Sequence, residues 1–306
     1  QRIWEVVREL GYVANPVAQS LAGGQNRIVA VFTFEAIFPI DSRNFYYPFL
    51  IGIEEAADAL GYDLLLVTGS NGSADGKRRI YQGGFNRLRR ADGAILLGHG
   101  DRSEVEKLLE EHYPFVFVGR RDSLNDSISY VAADYTAATI ELIHHLKAHG
   151  HDRIAYFRSA RETEASRERE TGVRAVLGNS DGASPAWLWR GRPEELVPSV
   201  LRRYLDDGYT AFVAEDDELG VRLLTTSRQM SLHCPDDFSL VVLGDSLNPL
   251  IEVPDWTSFT IPRRQMGREA FAMLVNLLGL PVDEPGQPCR KTLTCSLKSG
   301  SSVGKR

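Results

Sequence analysis

The sequence predicts an α/β protein built as two doubly wound parallel-sheet lobes, and three observations carry that expectation. Short apolar runs alternate with segments of helical periodicity from residue 27 onward. Runs such as IVAVF, LLLV and AILL are apolar at every position, as strands must be when helices cover both faces of a parallel sheet. The 306 residues also exceed what one ordinary hydrophobic core organises, so two cores are expected.

In chain order, the first series reads RIVAVFTF as a strand, YPFLIGIEEAADALG as an amphipathic helix, YDLLLVTG as a strand and residues 75 to 90 as a helix. DGAILLG, a helix near residues 103 to 112, and PFVFVGR complete it. The second series runs through RIAYFR, VRAVL, the strand candidate AFVAE, a helix to Gln229 and FSLVVLGD. SGSSVGKR at the end reads as a frayed tail. Ahead of both series, an amphipathic pattern ends at Leu10-Gly11-Tyr12. Asn15 can then cap a short helix with Pro16 in its first position, and Val17, Ala18, Leu21 and Ala22 share one face before Gly23-Gly24 stops it.

Composition narrows the function. At 43% hydrophobic and 25% charged, the chain is globular in kind, and no apolar run reaches membrane-spanning length. QRIWEVVREL carries charges throughout and is no signal peptide, so a cytoplasmic protein is expected. Cys234, Cys289 and Cys295 are odd in number and lack paired spacing, which argues against a disulfide framework or metal knuckle. The net charge of -6 excludes a nucleic-acid surface spread over the whole chain, since duplex affinity rests on phosphate neutralisation; DNA contact must be delegated to a small module. His144, His145, His149 and His151 follow one helix and its exit, read as a solvated face, and have no nucleophile motif beside them. Glu215, Asp216, Asp217 and Glu218 are consecutive at a helix start and cannot all face one ion. Neither catalysis, a metal nor a cofactor is expected.

LGYVANPVAQSLAGGQ resembles the end of the DNA-binding headpiece and the hinge of the LacI/GalR family of transcriptional regulators. Asn15, Ala18 and Leu21 match that pattern position for position, Gln19 is a residue the family uses there, and Ala14 stands where the family has proline. NFYYPFLIGIEEAADALGYDLLL, YVAADYTAATIELIHHLKAHGHDRIAYF, PDDFSLVVLGDS and IPRRQMGREAFAMLV extend the likeness over nearly the whole chain. The resemblance implies a periplasmic-binding-protein-like core of type I, crossed by the chain near residues 134, 259 and 284. One lobe is then 27–134 plus 260–283 and the other 135–259 plus 284–306, after a headpiece remnant and hinge in 1–26. It further implies a homodimer whose hinge helices pair in the minor groove, with Leu21 wedged into a base step. A complete headpiece has two more helices upstream, so the sequence is expected to be a piece of a longer regulator that reads operator DNA through them.

Ligands of open α/β sheets bind beyond the carboxyl ends of the strands. After the first strand, Phe45 and Tyr46 match an aromatic pair that lines the effector cleft in the family; packing under the loop is the alternative. Arg120 follows PFVFVG as an effector contact or an interlobe ion pair. Arg169 reproduces the family spacing of Ser, two residues, Arg, two residues, Gly (Ser166, Arg169, Gly172), where a guanidinium can donate paired bonds to hydroxyls or a carboxylate. At the end of AFVAE, Asp216 reads as a helix cap and Glu215 as a longer acidic acceptor for a ligand rich in hydroxyls or carrying an amine. Asp245 in LGDS matches a position that accepts sugar hydroxyls. The function expected is an effector-sensing core whose closure on a sugar-like molecule is coupled to operator binding. The alternative is a stand-alone periplasmic-type sugar-binding protein, against which the hinge sequence and the missing export signal argue.

Overall fold

The computed structural model describes residues 26–34, 43–68, 78–121, 127–178, 185–245, 255–280 and 287–306, with residues 43 and 44 described through their backbone alone. The hinge calls at Asn15, Ala18, Gln19 and Leu21 lie outside the described residues.

Among the described residues the first elements are β1 (Ile28–Thr33), α1 (Arg43–Leu60) and β2 (Asp63–Val67). A small hairpin of β3 (Tyr81–Gln82) and β4 (Phe85–Asn86) and a 3-10 turn at Arg87–Arg90 follow, where the sequence predicts a helix. Gly83 and Gly84, at φ 56° and 83°, turn the chain back in a conformation glycine adopts without strain, and the helical pattern fails there. Then come β5 (Gly93–Leu97), α2 (Arg102–Glu110), β6 (Phe115–Val118), β7 (Tyr130–Ala133) and α3 (Tyr135–Ala148). The second series comprises β8 (Ile154–Ser159), α4 (Glu164–Leu177), β9 (Leu188–Gly191), α5 (Pro198–Asp206), β10 (Ala211–Ala214), α6 (Asp217–Arg228), β11 (Ser239–Val242) and β12 (Thr257–Thr260). The chain closes with α7 (Arg263–Leu278), β13 (Arg290–Leu293) and β14 (Ser296–Lys298).

These strands form two six-stranded sheets, ordered β13-β7-β6-β5-β1-β2 and β14-β12-β11-β10-β8-β9. All neighbours are parallel except β12 and β14. Strands β5, β6, β10 and β11 are buried at every residue, because helices cover both faces as their unbroken apolar runs require. The run VRAVL is not a strand. It ends α4, which starts at Thr163, whose hydroxyl caps Ser166 N–H at 3.0 Å.

The chain passes between sheets after β7, after β12 and after β13. The third passage is later than the residue 284 expected from sequence, because Arg290–Leu293 pairs with β7 in the first sheet before β14 joins the second. On the first lobe, α1 and α7 pack at glycine contacts: a Cβ on Gly52 would lie 1.9 Å from Arg264 O, and one on Gly267 2.2 Å from Phe49 O. This close approach brings the first residue of α7, Arg263, beside Phe45 on α1. Among the described residues no helix is long and apolar enough to cross a membrane.

The C-terminal segment corrects the expectation of a frayed tail. Ser302 is fully buried; its hydroxyl donates to Leu240 O at 2.6 Å and accepts from Thr257 N–H at 2.8 Å, while its carbonyl accepts from Leu240 N–H at 2.9 Å. The tail thus fills the gap where β11 and β12, paired over two residues, diverge. His151, expected on a solvated face, is buried beneath it, with its Nε2 3.1 Å from Gly304 O and Nδ1 2.9 Å from the Thr210 hydroxyl. Assigning the ring proton to Nε2 satisfies both contacts, since the carbonyl can only accept.

Burial pushes the His151 imidazole below its ordinary value of 6.5, against the bond to Gly304 that works the other way. The folded chain therefore favours the neutral ring, and the contribution of this site is intact above the unfolded value and lost as the pH falls through it. Thermal melts should show the wild type losing stability between about pH 7 and about pH 5, and His151→Gln losing less over that interval. Parallel acid profiles for the two proteins would remove His151 as a cause.

Candidate ligand cleft between the lobes

Three second-lobe strands, β8, β10 and β11, end side by side, and the residues just past their ends form the floor of a cleft. Arg169 on α4 lies with its guanidinium 4.7 Å from the ring centroid of Tyr135, the first residue of α3. Gly244, at φ 142°, has a backbone conformation that favours glycine, and it borders Arg169, whose Nη2 would be in ordinary contact, 3.6 Å, with a Cβ there. Arg169 has no ion pair among the described residues, and its Nε is buried without a hydrogen-bond partner. Burial pushes the Tyr135 hydroxyl above its ordinary value, with the Arg169 charge opposing.

Opposite Arg169, Asp245 accepts from Arg263 Nη2 at 2.5 Å and more distantly from Ile261 N–H at 3.4 Å. Burial pushes the Asp245 carboxyl up, while the Arg263 charge pulls it down. Arg263 is 7% exposed, sits with its guanidinium carbon 5.4 Å from the Phe45 ring centroid, and leaves Nη1 buried without an acceptor. Phe45 from the first lobe and Asp245 from the second therefore meet through Arg263, which sequence reading missed. The signal was available: Arg263 follows the carboxyl end of β12, where the rule used to pick Asp245 also points.

Two expected contacts sit elsewhere. Tyr46 is 5% exposed and belongs to the hydrophobic core. Successive helical residues point about 100° apart, so Phe45 faces Arg263 while Tyr46 turns inward and braces Phe45 edge-on at 5.1 Å. Glu215 is 2% exposed: Oε2 accepts Ser159 N–H at 2.8 Å, Oε1 lies 3.4 Å from the Tyr156 hydroxyl, and Arg158 Nε is 3.8 Å away. Its carboxyl, pushed up by burial against the pull of Arg169, is part of the wall and not an open acceptor. Asp216 caps α6 by accepting Leu219 N–H at 2.9 Å.

Behind the floor runs a charge network that the sequence did not reveal. Arg158, 1% exposed at the end of β8, bonds Glu170 and reaches Glu162 at 2.7 Å. Arg174 Nη2 and Arg190 Nη2 reach the same Glu170 at 2.6 and 3.2 Å. Burial works to raise Glu170, but the bonds from Arg174 and the charge of Arg158 outweigh it and hold its carboxyl below the usual range. Glu170 adjoins Arg169 in α4, so the network fixes the turn that carries Arg169 into the cleft.

Arg120 joins the lobes directly: its Nε is 2.9 Å from Glu168 Oε1 on α4. His99 Nδ1 approaches Glu164 at 4.0 Å, one helical turn earlier on the same face. Arg120 is thus an interlobe ion-pair residue in this arrangement. Among the described residues no group of three or more His, Cys, Asp or Glu side chains is placed to hold a metal.

Comparison with known proteins agrees with this architecture. The family described as periplasmic binding protein-like domain matches residues 143–303. The transcriptional regulator CelR of Thermobifida fusca is 26% identical over 291 residues, covering 93% of this chain and 84% of its own. Catabolite control protein A of Priestia megaterium is 24% identical over 286 residues, with 91% and 83% covered. The solved complex of CelR with cellobiose superposes with a TM-score of 0.71 at 25% identity, covering 98% of this chain and 89% of that one. The lac repressor dimer bound to operator and the anti-inducer ONPF shares the fold at TM-score 0.71 and 18% identity, with 96% and 99% covered. The chain belongs to the periplasmic binding protein-like domain family, and the relatives it resembles along most of its length are transcriptional regulators.

Proposed function

We propose that the cleft between the lobes holds a small sugar-like effector, contacted by Arg169 and Asp245 from the second lobe and by Phe45 and Arg263 from the first. The observation that carries this reading is the Arg169 guanidinium, positioned at the carboxyl ends of the second-lobe strands with no ion pair among the described residues to occupy it. A ligand bridging both sets of residues favours one arrangement of the lobes over another, as any coupling to DNA requires, since equal affinity for two states shifts neither. Operator contact is made through the segment containing Asn15, Ala18, Gln19 and Leu21, and the regulator acts without catalysis in the cytoplasm. A thermal-shift screen over sugars and their derivatives tests the cleft, because a ligand bound by the folded form alone raises the Tm. A screen in which no carbohydrate stabilises the chain would overturn the reading.

The same proposal includes a homodimer. Strand β2 is the open edge of the first sheet, and Leu64 and Leu66 on one of its faces are 37% and 41% exposed, beside Leu60 at 46%. An apolar edge of this kind invites pairing with a second copy. Leu66→Glu is expected to weaken self-association by about tenfold, read by analytical ultracentrifugation across micromolar concentrations. An unchanged sedimentation profile would move the dimer face elsewhere.

A further inference from the structure

We propose that Arg120 and Glu168 form a latch that holds the two lobes together before any ligand arrives, and so set the share of chains whose cleft is already closed. The proposal goes beyond the cleft assignment made above and concerns what keeps the cleft shut.

Each half of the latch is firmly mounted on its own lobe. On the first lobe, Arg120 follows β6 with its guanidinium carbon 5.9 Å from the ring centroid of buried Tyr130, and its carbonyl accepts from Arg121 Nη1 at 2.6 Å. Arg121 also donates to Gly98 O, which ties the loop after β5 to the loop after β6. On the second lobe, Glu168 belongs to α4, and its carbonyl accepts from the Thr136 hydroxyl on α3 at 3.1 Å. Glu170, two residues on, is held by Arg158, Arg174 and Arg190.

The lobes meet at this point through charge more than through packing. Arg120 Nε stands 2.9 Å from Glu168 Oε1 but off the axis of its N–H, so the pair contributes attraction between charges in place of a directed bond. The side chains are 29% and 12% exposed, and solvent ions screen that attraction only in part. One turn earlier on the same face of α4, Glu164 approaches His99 at 4.0 Å beside a cavity of about 150 Å³ lined by Gly100, Phe117 and Arg121, so packing does not seal this seam. Arg263 and Asp245 also join the lobes, but Arg263 lies just past β12, where the chain crosses, and moves with that crossover. Arg120 is on no crossover. Rotation about the passages after β7, β12 and β13 carries it away from α4, and the pair must break for the cleft to open. A partly exposed ion pair is worth up to about fivefold in such an equilibrium. A ligand that binds the closed form alone has its apparent affinity reduced by whatever fraction is open.

The test reads the distance between the lobes in the ligand-free chain, by pulsed electron spin resonance between labels at Glu110→Cys on α2 and Arg202→Cys on α5, both exposed positions. Cys289→Ser removes the exposed native thiol, while burial pushes Cys234 and Cys295 up to about 12 and keeps them from labelling near neutral pH. Diluting labelled with unlabelled chain restricts the reading to distances within one chain. The wild type is expected to show mostly the short, closed distance. Arg120→Met and Glu168→Gln should each raise the ratio of open to closed chains by about fivefold, and the double variant no further than either alone. A wild type that is mostly open, single variants with the wild-type distribution, or shifts that add in the double variant would each overturn the proposal. Circular dichroism melts report folding, and the nearly isosteric Glu168→Gln decides the matter by itself where Arg120→Met fails to fold. No sugar enters the measurement, so its failure leaves the cleft assignment standing, and a sugar screen without a hit leaves the latch standing.

Discussion

Arg158→Met should lower the stability of the chain by about 3–5 kcal/mol, the loss expected when one partner is taken from a buried ion pair and the other charges are left behind. Methionine nearly fills the volume, so the loss is electrostatic in origin. Glu215, already raised by burial, would lose the guanidinium 3.8 Å away, and Glu170 would keep only Arg174 and Arg190 against the burial that works to raise it. Glu215 would stay above its unfolded value, and Glu170 would lose part of the lowering that stabilises the folded chain. A raised carboxyl destabilises as the pH rises above its unfolded value, and a lowered one stabilises only there, so both changes are felt at high pH and vanish when the carboxyls are protonated. The deficit of Arg158→Met relative to wild type should therefore be largest near neutrality and shrink toward about pH 4.5, measured by urea denaturation at each pH. A gap of the same size at both ends would mean that packing, not charge, is what Arg158 supplies.

This network also shows where reading the sequence stops. Strands β5, β6, β10 and β11 were legible because burial on both faces demands unbroken apolar runs, and GAILL, FVFV, AFVA and SLVV are nearly that. The cap at Asp216 was legible because capping is local, a bond to a residue three positions on. Arg158 with Glu215, and Arg263 with Asp245, are pairings set by which strand ends the topology places side by side. Nothing in periodicity specifies that order. Tyr46 and Glu215 were assigned to the cleft from their positions after strands; the helix rotation of α1 and the depth of the β10 end decided otherwise. The C-terminal tail looked like a solvated segment because its small polar residues bury no apolar area. They are there to satisfy the backbone of β11 and β12, and Gly300 permits an approach at which a Cβ would lie 2.1 Å from Asp255 O.

Arg169→Ala is expected to leave the fold intact and weaken effector binding by about 1.5–3 kcal/mol, tenfold or more in Kd. The fold should survive because the side chain is half-buried, makes no ion pair among the described residues, and acts on Glu215 and Asp216 only at a distance. Removing a buried Nε that has no acceptor also removes a cost, so the ligand-free Tm should stay level or rise slightly. Binding should suffer because the guanidinium is fixed before the ligand arrives: Glu170, the next residue, is anchored by Arg158, Arg174 and Arg190, and that turn of α4 cannot move to bring in a substitute. Calorimetry with the tightest ligand from the carbohydrate screen, run beside circular dichroism melts of wild type and Arg169→Ala, separates the two effects. Phe45→Ala should cost less, about 0.5–1.5 kcal/mol, since it removes an aromatic face and no charge-assisted bond. Equal affinity in a folded Arg169→Ala would place the effector away from this floor, and a lost melt without ligand would show that the residue holds α4 to α3 instead.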